Sequence, residues 1–399
     1  MGFLAGSSGA FSSLPIIWLT FVAMSRLLRT LKWVLISLLG LVLVVVVGTA
    51  LVTNFYPAFG ADPGPERQKA FAETGRYQDG EFQNLIQTVM EMDFGESMKV
   101  VSEMFSGLPR HEPQVPLPVL KAEVSSVDTI SEMIWFGHSA FLVKMGGRVI
   151  LLDPMFGEAA SPFTFMGTKR FSDGLPIEIE ALPHIDLVVF SHDHYDHLDY
   201  PTIKQLAGKV DHYVVPLGVG AHLEHWGVDA ADITELDWWE ETRFAGIDLA
   251  CAPARHFSGR GLFNRNSTLW SSWVIRSDSL SLYFSGDGGY GPHFQEIGEK
   301  YGPFDLALME CGQYNVRWAQ IHMMPEETAQ AAQDVEARVF MPIHWGSFAL
   351  ALHTWDDPVI RVSRKAEELN QAMIIPQIGE KVLLPDPQVQ SNDWWRGIE

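Results

Sequence analysis

The chain has 399 residues, of which 28 are Lys or Arg and 49 are Asp or Glu, so its formal net charge is −21. That acidity disfavours a protein that binds nucleic acid by neutralising phosphates, and an apolar content of 47% excludes global disorder. Two cysteines, Cys251 and Cys311, are too few for a disulfide scaffold or a Cys-rich zinc module; we expect two buried free thiols, with one disulfide as the alternative.

The first predicted element is a membrane-spanning helix over residues 33–52, within an N-terminal segment of residues 1–56. This uncharged run would be about 30 Å long as a helix, enough to cross a bilayer. The basic residues of the segment all precede the run: Arg26, Arg29 and Lys32. Their position predicts a single-pass anchor with a cytoplasmic N-terminus and the remaining chain on the far, periplasmic side. A cleavable signal peptide is the alternative, and residues 1–23 are predicted to be an over-extended start.

The remaining chain is predicted to fall into three parts. Residues 57–120 form a linker followed by a helical and extended arm, residues 121–385 form the main domain, and residues 386–399 form a polar tail. Within the arm, residues 81–105 have helical periodicity. This pattern predicts a helix packed on the main domain, with a helix that faces lipid as the alternative.

From residue 133 onward, short β-rich runs alternate with helical stretches such as residues 325–335 and 359–370. Early strands joined by tight turns such as Gly146-Gly147 predict sheets covered by helices in layers, which is an α/β fold. The predicted strands are residues 133–136, 140–145, 149–152, 185–190, 213–215, 247–251, 272–275, 280–284, 305–309 and 339–343.

The strongest chemical signal is Ser191-His192-Asp193-His194-Tyr195-Asp196-His197, directly after an apolar strand. His192 and His194 alternate along extended backbone, so both point to one side, and Asp196 and His197 follow where the chain turns. Imidazoles and a carboxylate suit a borderline divalent ion such as zinc. A His-rich surface loop is the alternative, but it would crowd four polar side chains after a buried strand.

Further metal ligands are expected from other strand ends, because four ligands are too few for two ions and too closely spaced for one. His256, Asp287 and His344 each follow an apolar run. Each of them alone could equally be a cap, a turn residue or a satisfied polar group of the core. Asp287, between glycines, is typical of a turn.

Residues 133–350 resemble the metallo-β-lactamase superfamily, whose ligand series matches these positions in order. Several stretches are similar to the family of N-acyl-phosphatidylethanolamine-hydrolysing phospholipases D within it. These stretches are residues 135–141, 153–156, 160–171, 256–260, 269–275, 286–290, 320–327 and 344–348. The resemblance implies a four-layer αββα sandwich with the metals at one edge between the sheets.

The resemblance also implies two Zn²⁺ per chain, with manganese or iron as alternatives. One ion would be held by His192, His194 and His256, and the other by Asp196, His197 and His344. Asp287 would bridge both ions.

The expected reaction is hydrolysis of a glycerophospholipid phosphodiester to phosphatidic acid and an alcohol such as N-acylethanolamine. A zinc ion lowers the pKa of the water it binds from about 15.7 to about 7, so metal-bound hydroxide is the expected nucleophile. The expected partners are the phospholipid substrate and, through the N-terminal helix, the membrane. A related hydrolase of a lactone or a soluble phosphodiester is one alternative, and a non-catalytic metal-binding envelope protein is another.

Other residues are predicted to support the metals or the substrate. Asp153 would orient a ligand histidine, unless it only forms an Asp-Pro turn. His322, expected to be catalytic with Asp287, and Gln320 would contact the phosphate or leaving group, or serve as a local cap. His138 would line the pocket or pack in the core.

Two features of the loop over residues 160–171 point to the lipid. Lys169 and Arg170 would attract an anionic head group, with a solvated basic pair as the alternative. Phe163, Phe165 and Met166 would face acyl chains or a lipid surface, or cover the core.

Overall fold

The computed structural model describes Gly2 and residues 14–89, 94–388 and 393–398. The chain divides into two compact units, Met1–Tyr56 and Pro57–Glu399. The over-extended start proposed for residues 1–23 lies partly outside the described residues, as does part of the polar tail. The predicted domain boundaries stay predictions.

The first unit is one long helix, α1, over Leu14–Phe55. Its part from Phe21 to Phe55 is long and apolar enough to cross a membrane. None of its most apolar stretch is buried within the unit. A helix in the core of a soluble domain would be buried, so its apolar side chains need another apolar environment.

The second unit contains fifteen short strands among its described residues. They are β1 Tyr77–Gln78, β2 Glu81–Phe82, β3 Ser131–Trp135, β4 Phe141–Met145, β5 Arg148–Leu152, β6 Ile185–Val189, β7 Val210–Pro216, β8 Ile233–Leu236, β9 Glu241–Phe244, β10 Ile247–Ala252, β11 Ser272–Ser277, β12 Leu280–Phe284, β13 Phe304–Glu310, β14 Ala337–Ile343 and β15 Lys381–Leu384. Its α-helices are α2 Pro65–Glu73, α3 Phe94–Phe105, α4 Tyr200–Leu206, α5 Gly220–His225, α6 His293–Tyr301, α7 Pro325–Asp334 and α8 Asp357–Leu369.

Two mixed sheets form the centre of this unit. The first has the strand order β15-β3-β4-β5-β6-β7-β8, and the second has the order β14-β13-β12-β11-β10-β9. The strands from β5 to β8 run parallel, as do β12, β13 and β14, and the other pairs are antiparallel. Gly146 and Gly147, both with positive φ, form the tight turn between β4 and β5 that the sequence predicts.

Side chains alternate between two buried layers along the strands of the first sheet. Phe141 and Val143 of β4 face the core between the sheets, whereas Leu142 faces the helices on the outside. Helices α4 and α5 cover the outer face of the first sheet, and α6, α7 and α8 cover that of the second. The predicted four-layer αββα sandwich is therefore confirmed.

The arm differs from the helix predicted over residues 81–105. Of the residues described in this range, which exclude 90–93, those of α3 are helical, and β2 instead pairs with β1 in a small hairpin. Phe82 is fully buried against Phe71 and Tyr77, so its burial at this turn outweighs the local helical pattern. After the hairpin, the side chain of Asn84 binds both the N–H and the carbonyl of His256 and holds the chain in an extended path.

Candidate metal centre

The predicted ligand residues all follow strands that end at the same edge of the sandwich. Because the two sheets are packed face to face, the residues after these strand ends converge between them. The strands and the residues that follow them are β3 with His138, β5 with Asp153, β6 with His192, β10 with His256, β12 with Asp287 and β14 with His344.

The first cluster consists of His192, His194 and His256. The Nδ1 atom of His194 lies 2.8 Å from Nε2 of His192 and 3.3 Å from Nε2 of His256. Burial lowers the pKa of all three rings, that of His194 to about 4. They are therefore neutral, which is the form of imidazole that binds a metal ion.

The second cluster consists of Asp196, His197 and His344, joined by His138. Nε2 of His197 lies 3.4 Å from Oδ2 of Asp196, and Nε2 of His138 lies 2.8 Å from the same oxygen. Burial opposes a charge on His197, but the carboxylates of Asp287, Asp196 and Asp153 raise its pKa. This concentration of negative charge is of the kind that a cation would neutralise.

Asp287 lies between the two clusters. Its Oδ2 is 3.1 Å from Nε2 of both His197 and His344, and 3.9 Å from Nε2 of both His192 and His256. Burial raises its pKa to about 6. Its other oxygen, Oδ1, is buried without a hydrogen-bond partner among the described residues.

These features fit divalent metal ions. A buried carboxylate oxygen without a partner is costly unless a cation or water satisfies it. The neutral imidazoles and carboxylates around Asp287 are also the ligand types that suit zinc and related ions. The structure thus brings all seven predicted ligands together, and their division between two ions stays a prediction.

Contacts on the far side of each ring fix its orientation. Nδ1 of His197 lies 2.7 Å from Asp153, which also accepts hydrogen bonds from the backbone and hydroxyl of Ser191. Nδ1 of His192 lies 2.9 Å from the hydroxyl of Ser191, and Nδ1 of His256 lies 2.8 Å from the carbonyl of Ile321. Because the outer nitrogen is engaged in each case, the inner nitrogen faces the cluster.

Three residues that follow these strand ends have strained backbone. Asp153, His138 and His344 have φ angles of 37°, 55° and 65°, in the left-handed region that non-glycine residues rarely adopt. Such strain persists only where the surrounding contacts determine it, and it is often found at functional sites.

An open cavity of about 200 Å³ lies against the clusters. Its polar side is formed by His194, Asp196, Asp287, His322, Gln313 and His344. Its apolar lining residues are Phe257, Trp318, Ile321 and Leu350, and the first three of these form one apolar cluster with Val100 and Met104 of α3. The cavity therefore offers a polar floor beside an apolar wall.

Sequence reasoning missed Glu310, the last residue of β13. It is fully buried, and its carboxylate lies 3.0 Å from Nδ1 of His322 and accepts a hydrogen bond from the N–H of Met323. A signal was present, because Glu310 directly follows the strand predicted over residues 305–309, as Asp287 comes soon after the strand predicted over residues 280–284. The contact with Glu310 thus orients the imidazole of His322, which lines the cavity beside His194 and His344.

The remaining predicted residues are placed as follows. His138 contacts the second cluster through Asp196, as described above. Gln320 is not among the residues that line the cavity, since its amide oxygen accepts from Val89 and Arg255. Arg170 donates to the carbonyls of Phe136, Met155 and Gly157, so its observed contacts brace the loop, whereas Lys169 is exposed.

Glu310→Gln is expected to lower kcat about tenfold at unchanged metal content, as typically follows loss of a group that orients a site residue. The amide that replaces the carboxylate can donate to Nδ1 of His322 and so reverse the tautomer of the ring. Steady-state kinetics and metal analysis test this expectation. Glu327→Gln is the matched control, because Glu327 accepts from the neighbouring N–H of Met324. Equal losses in both variants would contradict a positioning role for Glu310.

Comparison with known proteins gives a consistent set of relatives. Residues 148–345 match the family model described as a beta-lactamase superfamily domain. An uncharacterized protein of Mycobacterium tuberculosis is 39% identical over 345 residues, which cover 85% of this chain and 92% of that protein.

Two further matches concern activity and fold. N-acyl-phosphatidylethanolamine-hydrolyzing phospholipase D 1 of Caenorhabditis elegans is 37% identical over 228 residues, which cover 54% of this chain and 64% of that enzyme. The chain thus spans less than two thirds of that enzyme's length. The structure of Igni18, a metallo hydrolase of Ignicoccus hospitalis, covers 64% of this chain with a TM-score of 0.50 and 22% identity, which shows the shared fold alone.

Proposed function

The chain belongs to the metallo-β-lactamase superfamily of metal-dependent hydrolases, and we propose that it is a phosphodiesterase of phospholipase D type. The substrate would be a glycerophospholipid like N-acyl-phosphatidylethanolamine. Hydrolysis would break the bond between phosphorus and the head-group oxygen. The oxygen of water would end on phosphorus and one of its protons on the released alcohol.

The proposed ligands are those expected from the sequence. His192, His194 and His256 would hold one ion, Asp196, His197 and His344 the other, and Asp287 both. When bound, two zinc ions would activate water and neutralise the charge that develops on a phosphoryl group.

Two side chains would move or hold protons. Nδ1 of His322 lies 3.0 Å from the carboxyl group of Glu310; with the proton of the neutral ring on Nδ1, its Nε2 would be an acceptor for a hydrogen bond from water or from the departing alcohol. Burial lowers the pKa of His322 to about 3, which keeps the ring neutral, so that it would orient a proton through a hydrogen bond rather than carry one as an imidazolium. Asp153 would hold the ring of His197 in its tautomer through the contact at Nδ1.

The observation that carries the lipid substrate is the apolar wall of the cavity beside its polar floor. Phe257, Trp318 and Ile321 offer a surface for hydrocarbon within the same cavity as Asp287 and His322. A small polar substrate would leave this wall exposed to water. The similarity to the phospholipase D of C. elegans supports the same class of substrate.

The apolar helix supports a location at the membrane. We propose that α1 is a single-pass anchor and that the hydrolase unit lies on the periplasmic side, because the basic residues precede the apolar run. An anchor of this kind would hold the site close to an insoluble substrate.

Product analysis tests the proposed reaction. Purified full-length protein in vesicles that contain phosphatidylcholine, phosphatidylethanolamine and N-acyl-phosphatidylethanolamine is expected to release phosphatidic acid and N-acylethanolamine. Pretreatment with a chelator should abolish release, and added Zn²⁺ should restore it.

The Asp287→Asn protein, purified in parallel, controls for contaminating lipases. Release of fatty acid without phosphatidic acid would contradict phospholipase D chemistry. Turnover of lactones but of no phospholipid would favour the related hydrolase over the proposed one.

A further inference from the structure

Two surface loops carry large apolar side chains that project into solvent. Phe165 and Met166 are 80% and 55% exposed, and Leu262 and Phe263 are 64% and 96% exposed. We call these four side chains the apolar tips. Exposed apolar groups clustered on loops mark a surface that binds something apolar.

Both loops are attached to one short segment, residues 57–62. The ring of Phe163, in the first loop, lies 6.1 Å from that of Phe59. Arg260, in the second loop, donates to the carbonyl of Ala58 at 2.7 Å, and Asn264 donates to Asp62 at 2.9 Å. The tips therefore emerge from loops that share one support.

Tyr195 of the predicted metal-binding run joins the two attachments. Its ring lies 6.3 Å from that of Phe59, and the guanidinium of Arg260 lies 4.1 Å from its centre. The loops and the segment thus form one connected cluster rather than two separate contacts.

The supporting segment begins close to the apolar run in the sequence. Four residues, Thr53 to Tyr56, separate Val52 from Pro57. A polypeptide reaches at most about 3.6 Å per residue, so Pro57 lies within about 18 Å of the end of that run. If the run crosses a bilayer, covalent connection alone keeps the segment near the bilayer surface.

Charge complementarity points to an anionic lipid surface. In a chain with a net charge of −21, neither residues 159–170 nor residues 257–267 contain an Asp or Glu. The loops instead carry the exposed basic residues Lys169 and Arg265 beside the tips. Basic and aromatic side chains together are typical of segments that bind the interface of anionic membranes.

We propose that the apolar tips insert into the surface of the bilayer that α1 crosses, so that the domain is held by loops as well as by its anchor. Phe257 begins the second loop and also lines the cavity, with its ring 4.5 Å from that of His194. Insertion of this loop would bring the cavity next to the lipid. The proposal concerns membrane contact and does not depend on the reaction.

Spin labels on the full-length protein test the proposal. Cys251 and Cys311 are fully buried, so an exposed cysteine introduced by substitution is labelled selectively. The variants are Phe165→Cys and Phe263→Cys, reconstituted in vesicles of phosphatidylcholine and phosphatidylglycerol. The control variant is Leu383→Cys on β15, where the side chain is 55% exposed. Leu383 pairs with Glu132 near the start of β3, so the control label lies at the end of the sheet that is away from the candidate metal site.

Labels at the two tips are expected to be more accessible to oxygen, which concentrates in lipid, and less accessible to a soluble nickel chelate than the control label. Equal accessibility at all three positions would overturn the proposal. The tip labels could also be shielded from the nickel chelate by a second copy of the chain. In that case spin–spin broadening would grow with the protein-to-lipid ratio, and this result would also overturn the proposal. Because neither readout uses turnover, the result is independent of the proposed phospholipase activity.

Discussion

Asp287→Asn is expected to reduce hydrolysis by at least about 10³-fold, more than the ~10–100-fold expected for a residue that only orients a ligand. Oδ2 of Asp287 lies within 3.9 Å of Nε2 of His192, His197, His256 and His344. The asparagine amide has similar shape but no charge, and its NH₂ group would oppose a cation. Bound metal is expected to fall from the proposed two ions per chain to one or none.

Metal analysis and kinetics on the same preparation check this result. Asp305→Asn is a matched control, since Asp305 lies on β13 and accepts hydrogen bonds from Ser281 and Arg338 outside the predicted metal site. The control should retain its metal and its turnover. Full metal content together with full turnover in Asp287→Asn would contradict the assignment of the whole site.

Asp153→Ala is expected to weaken metal binding by about 10–100-fold and to lower the free energy of unfolding by about 3–5 kcal/mol. Asp153 is fully buried and accepts from the N–H and hydroxyl of Ser191 while contacting Nδ1 of His197. Its loss would leave buried polar groups without a partner and free the ring of His197 to turn. Metal titration and equilibrium unfolding in detergent measure the two effects.

Asp186→Ala separates the two effects. Asp186 lies at the other end of the same pair of strands, where it accepts from the N–H of Val149 and from Arg148. It should destabilise the fold without changing metal affinity. If both variants lost metal equally, the role of Asp153 would be in folding rather than in holding His197.

The candidate site could be predicted largely because its ligands follow strands. His192, His194, Asp196 and His197 lie in one short run, so their proximity is a local property of the chain. Glu310 was missed because a single acidic residue after a strand has many ordinary explanations, and its partner His322 is twelve residues away. Lys169 and Arg170 are adjacent in the sequence, but the fold gives them different roles. Lys169 is exposed, whereas Arg170 donates to backbone carbonyls of neighbouring loops, which the sequence alone does not indicate.

The sequence by itself determined the uncharged helix, ten of the strands in the two sheets, and the residues able to bind metals, since hydrophobic periodicity and side-chain chemistry are local. Only the tertiary structure decided that His256, Asp287 and His344, separated by up to 88 positions, meet the run at 192–197. It also decided that α3 packs beside the cavity and that two distant loops share one support at residues 57–62. These contacts depend on how two sheets pack face to face, and packing between distant segments leaves no periodic pattern in the chain.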